Sequence, residues 1–292
     1  MTYRVAIGCT TRHDYSSLLI FAALLWRERI GYEPILFLIG DEDEAANLSW
    51  GAPTSGLVYN ALFKFGFQYE LIDGVKGIEG ATLSQCVRHH AAAMDFPEED
   101  ILIPSDADLF PLRKEFYYQH QKDITLYYYN GYPGEEESHW PTCHQSASVK
   151  VWREMMGLDP AKSVRENLLR SLEESNIRDL AKARAADPQD WAAEWFFDEH
   201  FSSRKIKESR FYPNGIHRIA REGHPPKDRL DRAHRPSWKN ANVNNYVDAH
   251  TVRPAWDDEN WSMLRPLIEQ TMPQHLGWAD AFRLEFKKEM RL

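Results

Sequence analysis

Asp106 and Asp108 follow a short apolar run and are the residues of this sequence best suited to hold a metal ion. The run from Ile101 to Ile103 ends in Pro104-Ser105, and only Ala107 separates the two acids. If the chain stays extended there, the two Cα atoms lie roughly 6–7 Å apart on one face, so both carboxylates can reach one cation. Mg²⁺ and Mn²⁺ accept a few carboxylates together with phosphate oxygens. The spacing therefore predicts a divalent-metal site at this pair.

An Asp-x-Asp pattern is a weak signal by itself, because a chain this rich in Asp contains about one by chance. A second copy stands at Asp41-Glu42-Asp43. There the acids open a helix-like segment, where they favour the positive end of the helix dipole. The segment after Asp108 is Leu-Phe-Pro-Leu, which is not a helix start. This difference favours the metal interpretation for the later pair.

The elements that must position this pair alternate between strands and helices over the first hundred residues. We predict strands over 3–9, 33–39, 68–72 and 101–103, and helices over 16–30, 54–65 and 82–94. Such alternation predicts an α/β fold with a mostly parallel central sheet flanked by helices, and ligands of such sheets bind beyond the carboxyl ends of the strands. The first turn lacks the Gly-x-Gly-x-x-Gly pattern of dinucleotide-binding folds, and no Walker-type phosphate loop occurs.

In the second half of the chain, strands and helices do not alternate regularly, which argues against a symmetric doubly wound fold. We predict strands over 124–129 and 142–149, helices over 150–156 and from 188 to 201, a charged helical stretch over 161–186 and an amphipathic helix near the end. No clear linker interrupts these elements. We therefore expect a single domain over 1–292, with a nucleotide-binding half (1–112), an acceptor half (113–250) that carries a helical insertion around 158–205, and a helical C-terminal tail (251–292).

Composition and charge narrow the classes of function. The chain has 292 residues and a formal net charge of −9, which argues against a generally basic nucleic-acid binder. Its three cysteines are far apart and form no Cys-x-x-Cys pair, which indicates free thiols in a reducing compartment. The sequence has no signal-peptide pattern and no apolar run long enough to span a membrane. We expect a cytoplasmic protein, with no membrane insertion, and the sequence leaves the oligomeric state open.

One segment, from Arg204 to Lys239, departs from the acidic average. Eleven Lys and Arg stand against four acids there, which gives about seven net positive charges. The segment is either a solvated surface or a surface for phosphates, whether those of a donor diphosphate, a phosphorylated acceptor or a nucleic acid.

Several motifs together resemble the GT-A glycosyltransferases, and among these the small chlorovirus enzymes that glycosylate a capsid protein. The motifs are a strand at the extreme N-terminus, Ser84-Gln-Cys-Val-Arg88-His-His-Ala-Ala-Ala, Ile-Leu-Ile-Pro-Ser-Asp106-Ala-Asp108-Leu-Phe, Trp195-Phe-Phe-Asp198-Glu199, and Asp248-Ala-His250-Thr-Val-Arg253-Pro followed by Asn260-Trp. The charged stretch over 161–186 has no counterpart in that pattern. By its sequence context alone, His250 lies in a polar, exposed turn.

The resemblance implies a divalent metal, Mn²⁺ or Mg²⁺, held on a donor diphosphate by Asp106, Asp108 and His250. It also implies that the loop with Thr10, Thr11 and Arg12 meets the nucleotide and that Arg88 faces its ribose or phosphates. Asp106 and Ala107 are expected to touch the nucleotide-sugar as well.

Sugar transfer from a nucleoside diphosphate sugar fits these residues, because a metal neutralises the leaving diphosphate and nearby arginines add to the effect. Asp198 or Glu199 is the candidate for the base that takes the proton of the acceptor hydroxyl, or for a ligand of sugar hydroxyls. The interpretation is a metal-dependent hexosyl or pentosyl transferase that uses a UDP-linked donor and a glycan or protein acceptor. Retention and inversion both remain open.

Three alternatives remain at the level of the sequence. The first is a viral enzyme of the host cytoplasm that glycosylates hydroxymethylated bases in DNA, for which the basic segment 204–239 would bind the duplex. The second is a nucleotidyltransferase that makes an activated sugar, although only Gly8 and Arg12 stand where such enzymes carry a Gly-rich basic loop. The third is a lectin-like or scaffold protein without turnover.

Overall fold

Ten strands lie in the part of the chain that the computed structural model describes, which is residues 1–11, 14–40, 53–129, 140–186, 195–223 and 225–290. They are β1 (Tyr3–Thr10), β2 (Glu33–Ile39), β3 (Gln68–Ile72), β4 (Ile101–Asp106), β5 (Leu109–Pro111), β6 (Ile124–Tyr129), β7 (Gln145–Ser148), β8 (Ile216–Arg221), β9 (Arg229–Asp231) and β10 (Asp248–His250).

The α-helices of the same ranges surround these strands. They are α1 (Asp14–Leu24), which continues as a π-helical turn (Leu25–Ile30), α2 (Pro53–Phe65), α3 (Gly80–His90), α4 (Lys114–Tyr117), α5 (Val149–Met156), α6 (Val164–Glu173), α7 (Ile177–Ala186), α8 (Phe197–Glu208), α9 (Asp258–Thr271) and α10 (Leu276–Met290). No helix in the described ranges is long and apolar enough to cross a membrane.

The larger sheet confirms the predicted α/β architecture with a mostly parallel sheet flanked by helices. Its described strands follow the order β3-β2-β1-β4-β7-β6-β8, and β7 alone among them runs antiparallel to both of its neighbours. Side chains from both faces are buried, because Val5 and Ile7 of β1 enter one apolar cluster while Ala6 enters the other. Coverage of both faces explains why the sequence of β2 is a continuous apolar run rather than an alternating pattern.

A second, three-stranded sheet in the order β5-β10-β9 lies at the end of β4. In its register His250 is opposite Leu109 on one side and Asp231 on the other. Since Asp108 immediately precedes Leu109, this small sheet brings Asp108, His250 and Asp231 together at one end of its strands.

A buried ionic group fixes the small sheet. Asp248 is fully buried, and its carboxylate accepts hydrogen bonds from Arg221 Nη1 at 2.7 Å and from Arg229 Nε at 2.8 Å. Breaking a buried pair on one side leaves an uncompensated charge, so this group holds the strands in one arrangement.

Several predicted elements differ from the structure. The strand at 101 continues to Asp106, and residues 107 and 108 form a turn, so the assumption of an extended chain across the Asp pair is wrong. The stretch over 161–186 is two helices, α6 and α7, rather than one. His250 ends a short strand and is not in an exposed turn. The helix start at 41–43 and the first half of the helix expected over 188–201 lie outside the described residues, and the second half lies largely in α8.

Candidate active site

A cavity of about 650 Å³ opens where β1 and β4 end. This is the position at which open α/β sheets bind their ligands, and the volume lies in the usual range for small-molecule sites. Most of the residues predicted from the sequence line it: Thr10, Arg88, Asp106, Ala107, Asp108, Asp198, Glu199 and His250. The fold therefore brings together residues that are more than two hundred positions apart.

Gly8 allows α3 to approach β1 at the floor of this cavity. A Cβ atom on Gly8 would lie 2.1 Å from the backbone oxygen of Ser84, a separation that real side chains do not tolerate. The close contact brings the later part of α3, including Arg88, beside the end of β4.

Arg88 is a buried cation that joins two acids of the cavity wall. Its Nη1 donates to Asp106 Oδ1, and its Nη2 donates to Asp198 Oδ2 at 2.8 Å. Burial opposes the charge of this guanidinium, but the two carboxylates outweigh it and keep the pKa of Arg88 above the ordinary arginine value. Arg88 lines the cavity, and its charge is shared between these two acids.

Asp106 and Asp108 point to different partners, because the turn at Ala107 separates them. The carboxylate of Asp108 accepts from Arg232 Nη1 at 2.7 Å and lies 3.6 Å from Arg253 Nε. Burial raises the pKa of Asp108, but His250 and Arg232 reverse this effect, and the pKa falls below its usual value. Asp106 keeps 37% of its side chain exposed, whereas Asp108 keeps 6%.

His250 lies between two carboxylates. Its Nε2 is 3.4 Å from Asp108 Oδ2, and its Nδ1 is 3.4 Å from Asp231 Oδ2. Burial disfavours the charged imidazole, but the two acids prevail and raise the pKa of His250 to about 9. The sequence interpretation missed Asp231 as a site residue, because nothing in its local sequence distinguishes it from the other acids of the basic segment.

The described residues can hold a metal ion through a pair of side chains rather than a closed cluster. Among them, no three His, Cys, Asp or Glu side chains converge as a ready-made site. Asp108 Oδ2 and His250 Nε2 are nevertheless 3.4 Å apart, and two adjacent ligand atoms of an octahedral ion with bonds of about 2.1 Å lie roughly 3 Å from each other. Because Mg²⁺ and Mn²⁺ commonly complete their shells with waters and substrate phosphates, this pair fits such an ion.

The remaining predicted residues occupy two walls of the site. Thr10 lines the cavity at the end of β1, and the Thr11 backbone N–H donates to Ile39 O at 3.1 Å. Arg12 lies outside the described residues. On the other wall Asp198 is buried and Glu199 is half-buried, both at the start of α8. Burial raises the pKa of Asp198, and Arg88 opposes that shift.

The basic segment 204–239 is largely engaged in ion pairs within the protein. Besides Arg221, Arg229 and Arg232, its paired cations include Arg210 with Glu154, Lys227 with Glu222 and Arg235 with Glu259. Arg229 and Arg232 line the cavity. Part of the positive charge of this segment therefore lies in the cavity wall and in the ion pairs of the small sheet, and not on one continuous external surface.

Comparisons with known proteins find matches among solved structures only. No protein-family model matches the chain, and no curated protein matches it. Among solved structures, the galactosyltransferase LgtC in complex with donor and acceptor sugar analogues is similar, with a TM-score of 0.42, 11% identity, and coverage of 93% of this chain and 95% of LgtC. The apo form of the glycosyltransferase GlyE from Streptococcus pneumoniae TIGR4 has a TM-score of 0.40 and 10% identity over 99% of this chain and 64% of GlyE. The bifunctional enzyme WbbM has a TM-score of 0.40 and 8% identity over 93% of this chain and 50% of its own.

Proposed function

We propose that this chain is a metal-dependent glycosyltransferase, which moves a sugar from a nucleoside diphosphate sugar, UDP-linked in the first instance, to a hydroxyl acceptor. The observation that carries the proposal is the pairing of Asp108 with His250, 3.4 Å apart, in the lining of a cavity where β1 and β4 end. The proposal extends to the acids Asp106 and Asp108 as the metal-binding motif of a GT-A enzyme.

The leaving diphosphate requires positive charge at this end of the cavity. When bound there, a divalent ion supplies Lewis-acid neutralisation of the leaving group. Asp108 and His250 would hold that ion, with Asp106 beside them. Arg232 and Arg229 already line the cavity and would be placed to contact phosphate oxygens, because charges fixed in advance stabilise a developing anion without reorganisation.

The sugar and its acceptor would bind at the wall formed by the start of α8. Asp198 is buried and its carboxylate is held in place by Arg88, which suits a fixed acceptor of hydrogen bonds from sugar hydroxyls. Glu199 is half-buried on the same wall and is the better candidate for the base. Trp195 and Phe196 line the cavity next to them and offer faces on which a sugar ring could stack.

The test is hydrolysis of a panel of UDP-, GDP- and CDP-sugars with Mn²⁺, measured as release of the nucleoside diphosphate. We expect slow, metal-dependent cleavage of one donor, reduced about 100-fold or more in Asp108→Asn, on the scale of losing one fixed charge contact. Asp228→Asn is the matched control, since that acid pairs with Arg221 and does not line the cavity.

Two results would contradict the proposal. The absence of both cleavage and calorimetric binding, for every donor tested with Mn²⁺, would exclude a transferase of this kind. Release of pyrophosphate from a nucleoside triphosphate in the presence of a sugar phosphate would instead indicate a nucleotidyltransferase.

A further inference from the structure

Two cations of the basic segment, Arg204 and Lys207, lie on α8 and take no part in the ion pairs of that segment. Arg204 is exposed, and its guanidinium carbon is 5.5 Å from the ring centre of Phe201; Lys207 is half-buried, and its Nζ is 5.2 Å from the ring centre of Trp140. No acid in the ranges that the structure describes lies within ion-pair distance of either cation, Glu208 at the end of the helix included. Aromatic rings therefore support both charges, but no carboxylate of those ranges neutralises them.

These two cations continue a face of α8 that begins in the wall of the cavity. Phe196 immediately precedes the helix and lines the cavity, and the His200 N–H donates to the backbone oxygen of Phe196 at 3.1 Å, as in a helical turn. Residues four, eight and eleven positions after Phe196 share one face of a helix, and they are His200, Arg204 and Lys207. From the rise of an α-helix, the two cations lie roughly 12 and 16 Å along the axis from Phe196.

Lys205 has the same charge and lies between these two cations in the sequence, but it occupies another face of the helix. It follows the buried Asp198 by seven residues and Phe201 by four, and its Nζ is 5.5 Å from the ring centre of Phe201. The helix dipole favours cations near the C-terminal end of α8, but it favours Lys205 and Lys207 alike. A difference in ligand binding between the two would therefore come from the face on which each lies.

We propose that this face of α8 binds the acceptor, and that the acceptor is an oligosaccharide whose carboxylate, sulfate or phosphate groups meet Arg204 and Lys207. The proposal rests on the proposed function, in which the end of this oligosaccharide enters the cavity. A single sugar in the cavity would not extend to cations that lie roughly 12 and 16 Å further along the helix, whereas the continuing chain of an oligosaccharide would. Two cations are few for a nucleic acid, which typically makes about 6–10 phosphate contacts with its protein, and the chain as a whole is acidic.

The experiment compares hexamers of galacturonic acid and of galactose, plain, sulfated or phosphorylated, by calorimetry at low salt, with circular dichroism as the check on folding. We expect the protein to bind at least one acidic hexamer more tightly than the plain galactose hexamer. Arg204→Gln/Lys207→Gln should weaken that binding about 3- to 10-fold, on the scale of two partly exposed charge pairs. Lys205→Gln is the matched control and should bind as the unmodified protein does, and so should Arg204→Lys/Lys207→Arg, which keeps both charges.

Three results would overturn the proposal: no preference for any acidic hexamer, unchanged binding in Arg204→Gln/Lys207→Gln, or an equal loss in Lys205→Gln. Binding of a DNA duplex that is lost in the double variant, with no saccharide bound, would overturn it in favour of a nucleic acid. Donor hydrolysis without an acceptor tests the proposed function separately. If the acidic hexamer binds as expected but no donor is bound or cleaved, the transferase fails and the saccharide-binding face stands; if a donor is cleaved but no acidic hexamer is preferred, the reverse holds.

Discussion

Replacement of Arg88 by Met should destabilise the protein strongly, and mainly through one of its two ion pairs. Arg88 and Asp198 keep 3% and 2% of their side chains exposed, whereas Asp106 keeps 37%. Removing one partner of a buried pair costs about 3–5 kcal/mol because the remaining charge stays unsolvated, whereas a partly exposed pair contributes at most about 1 kcal/mol. Arg88→Met should therefore lower the free energy of unfolding by about 3–5 kcal/mol, nearly all of it from Asp198.

The assay is thermal or urea unfolding of a small set of variants. At about 2–4 °C per kcal/mol for a domain of this size, Arg88→Met should lower Tm by roughly 6–20 °C. The double variant Arg88→Met/Asp198→Leu should recover most of this loss, because it removes the orphaned charge and fills its space. Asp106→Asn should cost less than about 1 kcal/mol.

A pH series separates this explanation from simple loss of packing. Without Arg88, protonation of Asp198 relieves the buried charge, so the deficit of Arg88→Met should shrink as the pH is lowered. The exposed Arg210→Met is the matched control and should change Tm far less. The reasoning is refuted if Arg88→Met costs less than about 1 kcal/mol or if the double variant is less stable than the single one.

Three further predictions concern the scaffold and the charge of the site. Gly8→Ala should destabilise by about 1–3 kcal/mol or more, because its Cβ would meet Ser84 O, whereas Gly56→Ala, with open space around it, should not; urea unfolding compares them. Asp248→Asn should cost about 3–5 kcal/mol of stability by removing the buried carboxylate that Arg221 and Arg229 share, and an unfolding midpoint close to that of the unmodified chain would contradict this. The raised pKa of His250, about 9 against an ordinary 6.5, adds up to about 3 kcal/mol to the free energy of unfolding below pH 6.5. This stabilisation is lost as the pH rises from 6.5 through 9. The Tm of His250→Gln in thermal melts should lack this pH dependence.

Much of the larger sheet could be predicted from local pattern. The bounds of β2 and β3 agree with those expected from the sequence. For β2 the reason is that a strand buried on both faces is a continuous apolar run, which polar turns interrupt. The helix that carries Arg88 was predictable for a similar reason, since its apolar positions recur at helical spacing.

The details of the site could not be predicted in the same way. The pattern Asp-x-Asp gives the spacing of two acids along the chain, but the turn at Ala107 sends them to different partners. Likewise, nothing in the sequence around Asp198 shows that it pairs with Arg88, because this contact depends on α3 packing close to the start of α8.

The α/β class and the strand that begins at Ile101 could be inferred from the sequence, because they depend on periodicity and residue type over short windows. The three-dimensional arrangement was needed to show that Asp231 and Asp108 flank His250. It was also needed to show that many cations of the basic segment pair with carboxylates of the same chain. Those contacts join residues up to about 140 positions apart through a register of three short strands. No local pattern encodes such a register, because it depends on which buried charges and strand edges must be paired at once.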